Sequence, residues 1–170
     1  MNKFAFLIMF TFIIGNIANL NAQDAKFQAL IIYNLTKLID WPNKTGNFTV
    51  KVFGNSDLAK ELKDFTLERK AGGKQAFDIQ KIESSSFDNC QILYIGASEC
   101  ENIEEIADKI GNNPILIITE KPDLTLKGAG ISFIKIEGAW KFQYNEENIK
   151  KNGLKISLDF KELGIPKYDD

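Results

Sequence analysis

Two short turns that contain glycine and serine are the places where a ligand could approach the backbone most closely. Gly54-Asn55-Ser56 and Gly96-Ala97-Ser98 each follow an apolar run and precede a helical pattern. Helix N-termini at such strand ends present free backbone N–H groups. The same residues are also ordinary turn and capping residues, and neither turn matches a nucleotide-binding signature. Both interpretations stay open, and the candidate ligand-binding residues are Gly54, Asn55, Ser56, Gly96, Ala97 and Ser98.

The sequence lacks the residues that most enzymes use for proton transfer. It contains no histidine, so a nucleophilic Ser98 or Ser157 would have no imidazole base. The acidic residues between 101 and 108 fall on one helix and are typical of a solvated face. The chain is therefore predicted not to be an enzyme and to need no cofactor or metal. A hydrolase that uses Ser98 or a glutamate is the catalytic alternative.

The stretch Tyr33 to Pro42 ends a helical pattern with a tryptophan and a proline. Trp41 either packs against the core, with Pro42 turning the chain into the next strand, or lies at a groove where aromatic residues bind partners. Tyr33 and Asn34 fall beside the apolar stripe and are better placed for contact. We therefore assign Tyr33, Asn34 and Trp41 as candidate partner-binding residues.

Charge excludes one class of partner. The net charge is -2, and lysines are interspersed with acids, so no one-signed surface is available for a phosphate backbone. The chain is therefore predicted not to bind nucleic acid. Arg69, with Lys70 and Lys74, belongs to a basic stretch that is either a flexible loop or an anion-binding loop.

The apolar pattern predicts one α/β domain over residues 23–170, with a mostly parallel sheet between helices and a C-terminal β-hairpin. The first helix is expected over 24–41, with one apolar stripe formed by Phe27, Leu30, Ile31, Leu35, Leu38, Ile39 and Trp41. Strands at 48–55, 75–82, 90–98 and 114–120 alternate with helices that begin at Ser56 and Glu99. Two alternating strands join at Glu137-Gly138, and the state of 154–163 stays open.

Helix ends carry recognisable signals. Ser98 and Glu101 form a capping-box pattern, and Gly111 is a terminator. Asn145 is expected to cap the helix that follows it, and Gly153 to end that helix.

Residues 1–22 are predicted to be a signal peptide. Lys3 precedes the apolar run Phe4 to Ile14, and a small-residue cleavage site follows at Ala22. The run gives roughly 17 Å of helix, short of a bilayer core of about 30 Å. Such a signal would direct export to the periplasm and be cleaved near Ala22, and an uncleaved anchor is the alternative.

An oxidising compartment would favour a disulfide between Cys90 and Cys100. However, a buried strand separates them by roughly 20 Å, and a bridge needs α-carbons within about 7 Å. They are therefore predicted to be unpaired, with Cys90 buried and Cys100 partly exposed.

Several blocks of the sequence, in order, resemble the YfiR-like family of exported bacterial proteins. The blocks are "FQALIIYNLTKLIDWP", "VKVFGNS", "CQILYIGASE", "PILIITEKP" and the segment from "GAGISF" to "KISLDF". The family's first-helix pattern falls on Tyr33, Asn34, Trp41 and Pro42, and its strand-end pattern falls on Gly96, Ala97 and Ser98.

The resemblance implies a Rossmann-like three-layer sandwich that regulates rather than catalyses. In the family's best-known member, the protein binds a membrane diguanylate cyclase and lowers cyclic di-GMP, other relatives are fused to sensor kinases, and dimers are known. The implied partner is therefore a membrane signalling protein, with a homodimer possible. The family's stabilising disulfides are not carried over, because the two cysteines here do not suit one. The alternative is a periplasmic small-ligand-binding protein without a cyclase partner.

Overall fold

Helices and strands alternate through the first two thirds of the chain, and a hairpin and two short helices follow. The computed structural model describes residues 23–54, 57–84 and 86–168, so the predicted signal segment lies outside the described residues. In chain order the elements are α1 (23–38), β1 (Ile39–Asp40), β2 (Phe48–Phe53), α2 (Leu58–Thr66), β3 (Lys70–Ala71), β4 (Gln75–Ile82), β5 (Ile92–Ile95), α3 (Ile103–Ile110), β6 (Leu116–Thr119), β7 (Ile131–Ile136), β8 (Ala139–Tyr144), α4 (Glu146–Lys151), β9 (Lys155–Ile156), α5 (Leu158–Leu163) and β10 (Ile165–Pro166).

Among the described residues, eight strands form one sheet in the order β10-β8-β7-β6-β5-β2-β4-β3. Strands β4, β2, β5, β6 and β7 run parallel to their neighbours in that series. β8 is antiparallel to β7, and β3 is antiparallel to β4. The predicted α/β class and C-terminal hairpin are confirmed. The hairpin turns at Glu137 and Gly138, whose φ angles of 50° and 79° lie in the left-handed region that a tight two-residue turn requires.

The sheet has an apolar core on each face. β5 shows the division, because all four of its side chains are buried and alternate between the two cores. Ile92 and Tyr94 join the core that contains residues of α1 and α2. Leu93 and Ile95 join the core that contains residues of α3. Each large side chain buried in this way stabilises the fold by about 1.5–3 kcal/mol, so helices are needed on both faces.

The α1 helix differs from the prediction in which apolar residues it buries. Its inner row contains Ala25, Ala29, Ile32 and Leu35, all buried. Phe27 and Leu30, which were predicted to belong to the buried stripe, are 49% and 41% exposed. The single-stripe prediction is therefore wrong. The row that includes the alanines is buried, Ile31 and Leu38 pack at the margin of the same core, and Phe27 and Leu30 are left partly exposed.

The predicted end of the first helix is also wrong. α1 ends at residue 38, before Ile39 and Asp40 pair antiparallel with Ile156 and Lys155 of β9. The Ser157 N–H donates to the Leu38 carbonyl at 2.9 Å, so the pairing with the β9 segment extends to the last residue of α1. Long-range pairing outweighs the helical pattern here.

The segment 154–163, left open by the sequence, contains β9 and α5. The Ser157 hydroxyl caps α5 by accepting from the Phe160 N–H at 3.2 Å. Phe160 is fully buried and packs against the rings of Phe142 and Tyr144, at centroid distances of 5.3 and 5.1 Å. The Ser157 cap and the buried Phe160 ring therefore hold α5 in place.

Three of the four predicted helix-end signals are confirmed. Asn145 accepts from the N–H groups of Glu147 and Asn148, and Gly111 ends α3 with φ of 59°. Gly153, with φ of 69°, follows the last residues of α4 and its N–H donates to the Lys150 carbonyl. The Ser98–Glu101 capping box is wrong. A 3₁₀ turn at Cys100–Asn102 precedes α3, and the Ser98 hydroxyl contacts the Glu99 carboxylate at 3.2 Å instead.

The Asn145→Ala variant is expected to lower the free energy of unfolding by about 1–2 kcal/mol, because it removes a buried side chain that caps α4. Asp57→Ala is the matched control, since Asp57 occupies the N-cap of α2 without accepting a capping hydrogen bond from the described residues of that helix. Its loss is expected to be about 0.5 kcal/mol or less. Urea unfolding of both variants makes the comparison, and equal losses would contradict the capping assignment.

Candidate functional site

The predicted strand-end site places Gly54 and Gly96 side by side. β2 and β5 are parallel neighbours, so their carboxyl ends meet, and the Gly96 N–H donates to the Phe53 carbonyl at 2.8 Å. A β-carbon at Gly54 would lie 2.8 Å from Glu99 Cγ and 3.6 Å from Gly96 Cα. Gly54 also has a φ of 97°, which favours glycine. Asn55 and Ser56 lie outside the described residues.

Carboxylates occupy the surroundings of this strand-end site. The Ala97 N–H, the donor that an anionic ligand would use, already donates to Glu120 Oε2 at 2.8 Å. The Ser98 hydroxyl is 3.2 Å from Glu99 Oε1. A ligand at Gly96, Ala97 and Ser98 would therefore have to displace the Glu120 carboxylate, and negative charge from two glutamates would oppose an anion there.

The three candidate partner-binding residues lie in different environments. Tyr33 is half-buried against the rings of Phe65 and Phe77, at centroid distances of 5.8 and 6.2 Å. Asn34 is half-buried and lines a groove on the other side of α1. Trp41 is only 5% exposed and meets the Phe48 ring edge-on at 5.0 Å. The structure does not bring these three residues together into one surface.

A second row of α1 side chains lies beside the inner row, with Ile31 and Leu38 at the margin of the core, and sequence reasoning did not distinguish the two rows. We call it the outer row; it contains Phe27, Leu30, Ile31, Asn34 and Leu38. Part of this row lines a groove of about 310 Å³ between α1 and the edge of the sheet. Trp140, Phe142, Leu163 and Ile165 line its other side. The spacing of Phe27, Ile31, Asn34 and Leu38 was the available signal, because steps of three and four residues also describe a second face of one helix.

Asp24 holds the beginning of α1 against the hairpin. Its carboxylate accepts from Trp140 Nε1 at 2.8 Å and from Lys135 Nζ at 2.6 Å. Partial burial acts to raise the pKa of Asp24, but these two hydrogen bonds and the Lys135 charge lower it overall. The residue pairs are more than a hundred positions apart, so no local pattern could reveal this contact.

The basic stretch after α2 is a hairpin rather than a flexible loop. Lys70 and Ala71 form β3 and pair with Ala76 and Gln75. The Arg69 guanidinium lies 4.1 Å from the centroid of the Phe65 ring and donates to the Phe65 carbonyl. Arg69 is therefore committed to contacts with the end of α2, which corrects the flexible-loop prediction.

Cys90 and Cys100 are free thiols, and both are buried within the described part of the chain. The expectation that Cys100 is partly exposed is wrong, because it is 2% exposed and its thiol donates to the Gly96 carbonyl at 3.3 Å. Burial raises the pKa of both thiols, in Cys90 from 9.0 to about 12. The 3₁₀ turn places the Cys100 side chain in the core that contains α3, which the helical pattern did not predict.

The fold and these surfaces define a mixed α/β protein with an exposed apolar helix row beside a groove. In the described residues, no group of acids or cysteines is arranged to hold a metal ion, and no helix is long and apolar enough to cross a bilayer. The sequence profile of the YfiR/HmsC-like family matches residues 25–164, so the chain belongs to that family. This confirms the resemblance that the sequence blocks indicated. The family is regulatory and non-catalytic, and its members are periplasmic. A comparison with curated proteins gives no match.

Thiol labelling tests the burial of the cysteines. Because a pKa of about 12 leaves little thiolate, we expect native labelling of Cys90 to be at least about a hundredfold slower than labelling in denaturant at the same pH. The stability that the neutral thiol contributes is fully present below pH 9.0 and is lost as pH rises toward 12.

A thiol count in denaturant should give two per chain, from Cys90 and Cys100. Cys90→Ala and Cys100→Ala serve as matched single-thiol controls that assign each labelling rate. Fast native labelling of Cys100, or fewer than two thiols in denaturant, would contradict the structure.

Proposed function

We propose that this chain is an exported periplasmic regulator that binds a membrane signalling protein and restrains it, and that the restrained protein is a diguanylate cyclase. Family membership over residues 25–164 is the observation that carries this proposal. Within it, the parallel strand pairs on both sides of β2 and β5 support a Rossmann-like arrangement of the sheet.

The outer row of α1 is the docking surface in this proposal. Phe27 and Leu30 are large apolar side chains that lie about half exposed on the helix. Exposed apolar residues next to a groove are typical of protein interaction sites. Leu163, 59% exposed, extends the apolar surface on the far side of the groove. A partner that covers these side chains would gain hydrophobic free energy that the isolated chain does not have.

Contacts on the buried side of α1 fix the position of the docking surface. The inner row of α1 is buried in the core, and Asp24 ties its first turn to Trp140 and Lys135. A helix fixed in this way loses little conformational entropy when a partner binds. Of the candidate partner-binding residues, Asn34 contacts the partner in this proposal, whereas Tyr33 and Trp41 position the helix.

Restraint follows if the chain binds one conformation of its partner better than another. A bound protein shifts a conformational equilibrium only by its difference in affinity for the two states. The chain needs no catalytic group for this action, because the free energy comes from the contact itself. Dissociation of the chain would then return the partner to its own conformational equilibrium, in which the active conformation is populated.

Photo-crosslinking tests the surface and the partner together. A photoreactive residue at Leu30 in the full chain, expressed in its own cells, is expected to crosslink to a membrane protein that contains a cyclase domain. The matched control position is Leu126, which is 49% exposed and lies in the 3₁₀ turn Leu124–Lys127, away from α1. Crosslinks from Leu126 are expected to be absent or much weaker.

The charge-inserting variant Leu30→Asp gives the quantitative form of this test. Burial of a new carboxylate at the interface should weaken partner binding at least about tenfold, while Leu126→Asp leaves binding unchanged. Co-purification of the identified partner measures both. Crosslinks only between two copies of the chain would assign the outer row to a homodimer, and equal effects at both positions would refute the surface.

A further inference from the structure

A cavity of about 400 Å³ lies at the other end of α1, apart from the outer row. It is enclosed by the last turn of the helix, by the chain that follows it and by the turn between β3 and β4. Its floor is formed by Ile39, Trp41, Phe48 and Ala71, each 5% exposed or less. A site of this volume, with an apolar floor, has the dimensions of a small-molecule pocket.

The rim of this cavity is positively charged. Lys37, Lys44 and Lys74 line it, and Asp40 is the only acid among its lining residues in the described part of the chain. Asp40 pairs with Lys44 at 2.6 Å, which leaves two positive charges in excess. The Lys37 ammonium also lies 4.2 Å from the centroid of the Tyr33 ring, which is not among the lining residues.

The N–H groups at the floor and at the turn are not available to a ligand. The indole N–H of Trp41 has no hydrogen-bond partner among the described residues, but its nitrogen is buried and does not reach the cavity surface. The Gly72 and Gly73 N–H groups at the turn are already bonded, to Thr36 Oγ1 and to the Lys70 carbonyl. The lysines of the rim are therefore the groups that can bind a charged head group.

We propose that this cavity binds a small organic anion with an apolar body. The anionic head group lies among Lys37, Lys44 and Lys74, and the apolar ring or chain covers the floor beside Trp41. Charge complementarity and the apolar floor select this chemical class over a neutral or cationic one. The site shares no residue with the outer row and does not depend on the proposed regulation of a cyclase.

The test uses two probes that differ in charge but hardly in shape. They are 3-phenylpropionate and its neutral counterpart 3-phenylpropanamide, titrated against the purified protein. A Trp140→Phe background leaves Trp41 as the remaining tryptophan, so its fluorescence reports events at the cavity floor. The anion is expected to give a saturable change and to bind about fivefold more tightly than the amide. Added salt should reduce this difference.

Lysine variants locate the head group. Lys37→Gln and Lys74→Gln should each weaken binding of the anion by about fivefold and leave the amide unchanged. Both side chains are exposed, so folding is not at risk, and Lys60→Gln on the exposed face of α2 is the matched control. Absence of a saturable Trp41 response, equal binding of the two probes, or an equal loss with Lys60→Gln would each overturn the proposal. A loss of binding to the membrane partner would not bear on this result.

Discussion

A sheet whose central strands are apolar on both faces must be covered on both sides, and the rest of this structure follows from that requirement. β5 and β6 bury all of their side chains, so α3 covers one face while α1 and α2 cover the other. α1 meets this need with its inner row, which contains two alanines and allows a close approach to the sheet. Phe27 and Leu30 of the same helix are then left about half exposed.

Most of the strands were predictable because continuous or alternating apolar runs have few other structural solutions. β4 matches its predicted bounds of Gln75 and Ile82, and the hairpin turns where Glu137-Gly138 indicated. Helical spacing marks both apolar rows of α1 without saying which one faces the sheet, so the exposure of the outer row could not be predicted. Cys100 and Ser98 were misplaced for a related reason. A 3₁₀ turn shifts the start of α3, and no residue type signals that shift.

The candidate sites, like the fold, were predictable only in part. The approach of Gly54 to Gly96 follows from the parallel pairing of β2 with β5, and the sequence did not indicate which strands are neighbours. The Glu120 carboxylate that takes the Ala97 N–H comes from the end of a different strand, and the contact of Asp24 with Trp140 spans most of the chain. Trp41 belongs to the core, as one of its two interpretations held, yet its ring also forms the floor of a cavity. Trp41 therefore packs in the core and also lines the cavity.

Two surfaces at different parts of α1 suit a regulator in the YfiR/HmsC-like family, since one can contact a protein while the other takes a small molecule. The most direct measurement of the central claim is the cyclic di-GMP content of cells with and without this chain. Loss of the chain should raise cyclic di-GMP, and the wild-type chain should restore the lower level while Leu30→Asp should not. An unchanged cyclic di-GMP content in cells that lack the chain, with the partner cyclase present, would contradict the account.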